Sequence, residues 1–150
     1  MVIKEIKIRE WYDRIKVHLK RNYDEVMGDL YGEYNPDIDL YFQLEDEGSI
    51  QWFLAFDKEG NIKGHASLIM NHYHHSKDIK VGVIDNVYSH NKSGLSTVGM
   101  RLIAHIEKYC KERKINKLSL SSNNDRVIEM LKKIGYNKTE TCMVVDLWQA

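Results

Sequence analysis

Hydrophobic positions follow one period early in the chain and another in its middle. Trp11, Ile15, His18 and Leu19 share one helical face with charged residues elsewhere, and a second short helical piece is predicted from Tyr23 to Met27. Gly28, Gly32 and the sole proline, Pro36, break that pattern. Pro36 and Asp37 open a third helix over Asp37–Glu47, with Gly48 after its end and Leu40, Tyr41 and Leu44 expected toward the core. The period then becomes two. Ile50, Trp52, Leu54 and Phe56 alternate with Gln51 and Asp57, a turn follows at Asp57–Asn61, and Ile62, Gly64, Ala66, Leu68 and Met70 form the returning strand. A polar, His-rich connection leads to a strand from Ile79 to Tyr88. A long helix is predicted over Thr97–Lys114, a short strand at Leu118 and Leu120, and a helix capped by Asn124 or Asp125, carried by Val127, Ile128, Leu131 and Ile134 and closed by Gly135. Alternation of Met143, Val145 and Leu147 predicts a last strand from about Thr139 to Leu147. The order implies a single-domain mixed α/β sheet, mostly antiparallel, with helices on both faces.

Composition narrows the function classes. The chain has 150 residues, with Lys+Arg and Asp+Glu both at 22, so no net field recruits nucleic acid or an anionic membrane. The nearest basic patch, Lys111, Arg113, Lys114 and Lys117, reads equally well as a solvated helix end. Cys110 and Cys142 sit on apolar-patterned segments and are expected as reduced core residues. No apolar run is long enough to span a bilayer and the first residues lack a signal-peptide pattern, so a cytoplasmic protein is expected. Trp148, near the last residue, is a candidate for an edge contact.

Asp85–Ile103 carries the candidate chemistry. A strand end passes into a loop of small residues, Ser93, Gly94, Ser96, Thr97 and Gly99, and then into a helix start. Unpaired amides and the positive end of a helix dipole hold phosphate well, although a plain strand-to-helix turn has the same pattern. Counted along the strand, Ile79, Val81, Val83, Asp85 and Val87 share a face, so Asp85 interrupts an apolar row. A carboxylate there is partly desolvated, which raises its pKa and suits it as a proton acceptor. The alternatives are a hydrogen bond to a neighbouring loop, or a β-bulge that turns Asp85 to water. Tyr88 is a candidate hydroxyl donor, or a core or rim tyrosine. His72, His74 and His75 suit a proton relay, metal ligation or a polar loop at the mouth of a substrate cleft; their spacing matches no closed zinc pattern and no metal is expected. Neither a Ser/His/Asp triad, a Cys/His pair nor a Gly-Lys-Ser/Thr phosphate loop is traceable.

This layout resembles the GCN5-related N-acetyltransferase (GNAT) family over essentially the whole chain. The resemblance is strongest over Asp85–Ile103, and again over Leu118–Tyr136, where Asn123-Asn124 and Lys133-Ile134-Gly135-Tyr136 look like a family turn and helix ending. The first half, with Pro36-Asp37 and the His72–His75 run, looks closest to small acetyltransferases encoded in bacteriophage genomes. The resemblance implies transfer of an acetyl group from acetyl-CoA to a primary amine, on a small molecule or a protein, by direct attack. The strand pattern, not the resemblance, supplies Asp85 as the candidate base and Tyr88 as the next catalytic candidate. Main chain at Val87 and Ser89 would pair with the pantetheine arm, amides of Leu95, Ser96, Thr97, Val98 and Gly99 would hold the diphosphate, and Asn124 would sit near the arm. Two positions depart from the family: Gly94 stands where an Arg or Gln is usual, and Leu131 where a tyrosine acid is usual. These departures leave a second reading, a catalytically inactive binding module on the same fold, of the phage-encoded kind that engages a host target.

Overall fold

The computed structural model describes residues 1–90 and 96–147. Five strands, β1 (Val2–Ile6), β2 (Ile50–Phe56), β3 (Ile62–His72), β4 (Lys80–Ser89) and β5 (Lys117–Leu120), form one sheet in that order. The first four pair antiparallel, and β5 joins β4 in parallel. The helices are α1 (Ile8–Val26), α2 (Gly28–Tyr31), α3 (Ile38–Asp46), α4 (Thr97–Glu112) and α5 (Asp125–Lys133).

Strand alternation divides the core into two layers. On one face Phe53, Ala55, Ala66, Leu68 and Ile84 pack against Leu102, Ile103 and Ile106 of α4 and Leu131 of α5. On the other, Trp52, Leu54 and Phe56 pack against Ile8, Ile15 and Leu19 of α1 and the flank of α3. That second layer covers β2 well but leaves part of β4 open: Leu54 is buried, whereas Val83 and Asp85 are exposed. The uncovered strip forms one side of the candidate site.

Local chemistry fixes the ends of these elements. The Asp57 carboxylate accepts from the amides of Glu59 and Asn61 while Gly60 takes φ +84°, which closes the β2–β3 turn. Asp37 caps α3 by accepting from Leu40 N, and Asn124 caps α5 by accepting from Arg126 N and Val127 N. Helix α1 has no cap from its own Lys7; the buried Glu45 carboxylate of α3 accepts from Ile8 N instead. A carboxylate at a helix N-terminus is favoured by the dipole, so α3 holds the start of α1.

Several expectations need correction. Residues 8–26 form one helix rather than two pieces. Strand β1 was not foreseen, because a five-residue edge strand containing Lys4 and Glu5 carries almost no alternation. Leu40 faces outward at 43% exposure, and Glu45 takes the buried position on α3. The expected strand at Thr139–Leu147 is not formed among the described residues: Met143, Val145 and Leu147 are 89%, 75% and 79% exposed and pair with no neighbour. Alternation shows only which residues would share a face; a strand also needs a partner, and Lys117–Leu120 pairs only with β4. Cys142 lies in this segment and is exposed, while Cys110 is buried as expected. Trp148 lies outside the described residues.

Candidate functional site

A β-bulge on β4 organises the site. Ser67 pairs with Asn86 but Leu68 pairs with Ile84, leaving Asp85 as the extra residue. At such a bulge two successive side chains share a face. Asp85 and Asn86 therefore both project to the α1/α3 side, where Asn86 Nδ2 donates to Ser67 Oγ at 2.8 Å. The expected face sharing of Asp85 with Val87 is corrected by the same feature, because Val87 packs with the α4/α5 layer. Asp85 is reached by solvent yet recessed among protein atoms. Burial raises its carboxyl pKa, and a hydrogen bond from Asn86 only partly offsets that. Among the described residues it forms no ion pair.

On the same face Tyr41 of α3 feels the Asp85 charge, and Tyr34, before α3, and Tyr12 of α1 lie next to Tyr41, all three packed on the α1/α3 layer. Burial raises the Tyr41 pKa, helped by the Asp85 charge, and burial with its two tyrosine neighbours raises that of Tyr34. The Tyr34 hydroxyl lies next to those of Tyr12 and Tyr41 without a well-formed hydrogen bond to either.

Tyr88 projects to the same side, and its hydroxyl donates to Glu25 Oε1 at 3.0 Å. Burial and that carboxylate raise its pKa. Behind it His65 Nδ1 and His90 Nε2 are hydrogen-bonded at 2.9 Å, and His18 stacks on His90 with ring centroids 3.7 Å apart. Burial depresses all three imidazoles, with His90 brought down to about 4. Among the described residues, every buried side-chain polar atom without a partner belongs to this layer: those of His18, Tyr34, Glu45, Trp52, His65, Asn86 and His90. Buried polar groups are normally paired, so this side of the sheet carries unused hydrogen-bonding capacity.

The other side of β4 offers main chain. β5 accompanies β4 only from Val81 to Ile84, so Asp85–Ser89, including the half-buried Val87 and the buried Ser89, have no strand neighbour on that edge among the described residues. Nearby, α4 begins at Thr97 with Ser96 as its cap, and Gly99 N reaches Ser96 Oγ at 3.5 Å. Among the described residues the Thr97 and Val98 amides find no acceptor. A methyl on Gly64 would lie 2.6 Å from Val98 Cγ1 and 2.8 Å from Tyr88 O, so the first turn of α4 sits directly on the β3–β4 pair. Gly94 and Leu95 lie outside the described residues. The Asn124 side-chain oxygen is engaged in capping α5, and Leu131 is buried in the core. His72 ends β3 opposite Lys80, and His74 and His75 lie in the turn joining β3 to β4, at the far end of that hairpin from His90. Among the described residues no group of His, Cys, Asp or Glu is arranged to hold a metal, and no helix is long and apolar enough to cross a membrane.

The sequence therefore pointed to Asp85 and Tyr88 but missed Tyr12, Tyr34, Tyr41, Glu25 and the three histidines. One signal was available: His65 and Ser67 form a polar row opposite Ala66 and Leu68, yet both are fully buried, which is the mark of a strand facing a polar interior.

Comparison with known proteins adds the family. The family model for the acetyltransferase (GNAT) family matches residues 7–136. A predicted acetyltransferase from Clostridium acetobutylicum, solved with acetyl-CoA, superposes with a TM-score of 0.70 at 18% identity, covering 97% of this chain and 96% of its own. Ribosomal-protein-alanine N-acetyltransferase from Brucella melitensis biovar Abortus 2308 gives 0.68 at 16%, covering 98% and 100%. An aminoglycoside acetyltransferase from an uncultured soil metagenomic sample gives 0.73 at 12%, covering 98% of each chain. At such identities the structures share the fold alone. No curated protein matches the chain.

Proposed function

The chain belongs to the GNAT acetyltransferase family, and from that premise we propose that it transfers an acetyl group from acetyl-CoA to a primary amine, with Asp85 receiving the proton that the amine gives up. The observation that carries this reading is the bulge on β4, which sets a recessed carboxylate on one face of the strand and an unpaired main-chain edge beside it.

When bound, acetyl-CoA supplies an acyl carbon already activated as a thioester. The amine nitrogen bonds to that carbon, the carbon–sulfur bond breaks, and the CoA sulfur takes a proton from solvent. The residues' share is binding, orientation and proton transfer. Main chain at Val87–Ser89 fits an amide-bearing arm, because its outer edge has no strand neighbour. The Thr97 and Val98 amides at the start of α4, which find no acceptor among the described residues, fit a diphosphate, whereas the Gly99 amide is already taken by Ser96 Oγ. Asn124, whose oxygen is already engaged, contributes chiefly by holding α5 in place. Asp85, raised by burial, is a better proton acceptor than an exposed carboxylate. Tyr88 donates its one hydroxyl proton to Glu25 at the rim, so it serves as a donor to substrate only on releasing that carboxylate.

A thermal melt separates transfer from the inactive-module reading, which the buried Leu131 favours because no tyrosine hydroxyl stands there. Acetyl-CoA at a hundredfold excess over its Kd stabilises a binding protein by about 2.7 kcal/mol; no shift with acetyl-CoA or CoA would leave the binding module as the better account. With binding established, Asp85→Asn is expected to lower turnover about a hundredfold while leaving acetyl-CoA affinity unchanged. Unchanged turnover would remove Asp85 as the base.

A further inference from the structure

Asp85 is a carboxylate without a counter-charge. Its pKa is raised by burial and opposed only by Asn86, with no cation among the groups acting on it. Arg21, on the same layer, acts instead on His18, His90 and Tyr88. On the same face stands Tyr41, whose hydroxyl feels the Asp85 charge, with the hydroxyls of Tyr12 and Tyr34 next to it and that of Tyr34 buried without a hydrogen-bond partner. A primary ammonium carries three N–H donors on one compact cation, and this nook presents a carboxylate and several hydroxyl oxygens in return. Tyrosine rings also attract a cation through their faces. A free amino acid fits poorly, because the carboxylate beside its nitrogen would be brought against Asp85.

We propose that Tyr12, Tyr34 and Tyr41, together with Asp85, form a box for the ammonium of a small alkylamine that has no carboxylate next to its nitrogen, and that this box selects the acetyl acceptor. The proposal rests on the acetyltransferase reading above and adds the substrate class. The amine is captured as its cation, loses one proton to solvent to become the nucleophile, gives the second to Asp85 on attack, and remains positioned by the hydroxyls. Tyr34 is a specificity-determining residue: it acts on amine capture and leaves the acetyl-CoA side untouched.

The test uses the full chain with saturating acetyl-CoA and a dye that reads released thiol. Butylamine, ethanolamine, glycine and a lysine-containing peptide serve as acceptors. The two alkylamines are expected to exceed the peptide and glycine by at least about tenfold in kcat/KM. Tyr34→Phe, which keeps the ring, is expected to raise the KM for butylamine about fivefold with kcat and acetyl-CoA affinity retained. Preference for the peptide or for glycine, or an unchanged KM in Tyr34→Phe, overturns the box while the transferase reading stands. If no acceptor turns over, calorimetry of butylamine with the CoA-loaded protein decides, and absence of binding overturns the box as well. If acetyl-CoA fails to shift the melt, the transferase reading itself falls and takes the box with it.

Discussion

Acid should unfold this protein through its buried histidines well before carboxylate protonation becomes the main cause. His65 and His90 are hydrogen-bonded at 2.9 Å, both buried, with His18 stacked on the second ring. A second proton placed in this group is poorly solvated and faces neighbouring imidazoles, with Arg21 adding further repulsion. In the unfolded chain each imidazole binds a proton near its ordinary value of 6.5, whereas folded His90 does so only at about 4. Between those values the unfolded state holds more protons, so stability is full above pH 6.5 and falls as the pH drops toward 4. At about 1.4 kcal/mol for each tenfold change, His90 alone accounts for about 3 kcal/mol over that window. His65, lowered well below 6.5 by burial and by His90, acts in the same direction. For a domain with a typical stability of about 5–15 kcal/mol this is a large share. Urea melts at pH 7.5, 6.5, 5.5 and 4.5 measure the slope. His90→Gln is expected to be the less stable protein at pH 7.5, by about 1 kcal/mol for the lost bond to His65. It should nevertheless lose stability more slowly with acid, so that the two curves converge. Parallel curves for wild type and His90→Gln would refute the reasoning.

Three further outcomes test other parts of the structure. Gly64→Ala places a methyl against Val98 Cγ1 and the Tyr88 carbonyl, which leaves backbone to give way; a loss of about 1–3 kcal/mol by denaturant melt is expected, with weaker acetyl-CoA binding because α4 is pushed off its seat. Glu45→Ala removes the acceptor from the buried Ile8 N–H and the Arg9 partner together, at about 2–3 kcal/mol, while Glu45→Gln keeps an acceptor and costs less; equal losses would show that the cap contributes little. Asp85→Asn is expected to raise Tm at neutral pH: a carboxyl whose folded pKa lies above its unfolded one disfavours folding once ionised, so the neutral isostere removes a penalty that grows as pH rises. A lower Tm would mean that Asp85 is a structural acceptor and not a recessed base.

Much of the fold was legible, because periodicity reports directly on which side chains must leave water. Trp52, Leu54 and Ala66 alternate as core strands do, and all are buried. Asn124 and Gly135 mark the ends of α5 through cap chemistry that acts within a few residues, with Gly135 at φ +103°. Long-range partners were not legible. The cap of α1 comes from Glu45, 37 residues away, and Tyr12, Tyr34 and Tyr41 come together only after α1 and α3 have packed on the sheet. Nothing local to any of these residues announces the others.

Asp85 shows how a local reading reaches the right residue by an incomplete route. Strict alternation from Ile79 gives it a face shared with Val83, which is correct as far as the bulge, and then assigns Val87 to that face, which is not. The bulge was weighed as the feature that would turn Asp85 toward water and away from chemistry. It does expose the side chain, but it also brings Asn86 onto the same face, where Asn86 bonds Ser67 and the Asp85 charge reaches Tyr41. Exposure to solvent and recession among protein atoms are compatible in a side chain partly covered by its neighbours, and a base that must exchange protons with an incoming amine needs both. Two adjacent polar side chains, Asp85 and Asn86, within an otherwise apolar strand cannot both be accommodated by a regular pleat, since one of them would have to enter the α4 layer. The bulge is the arrangement that avoids burying either of them there.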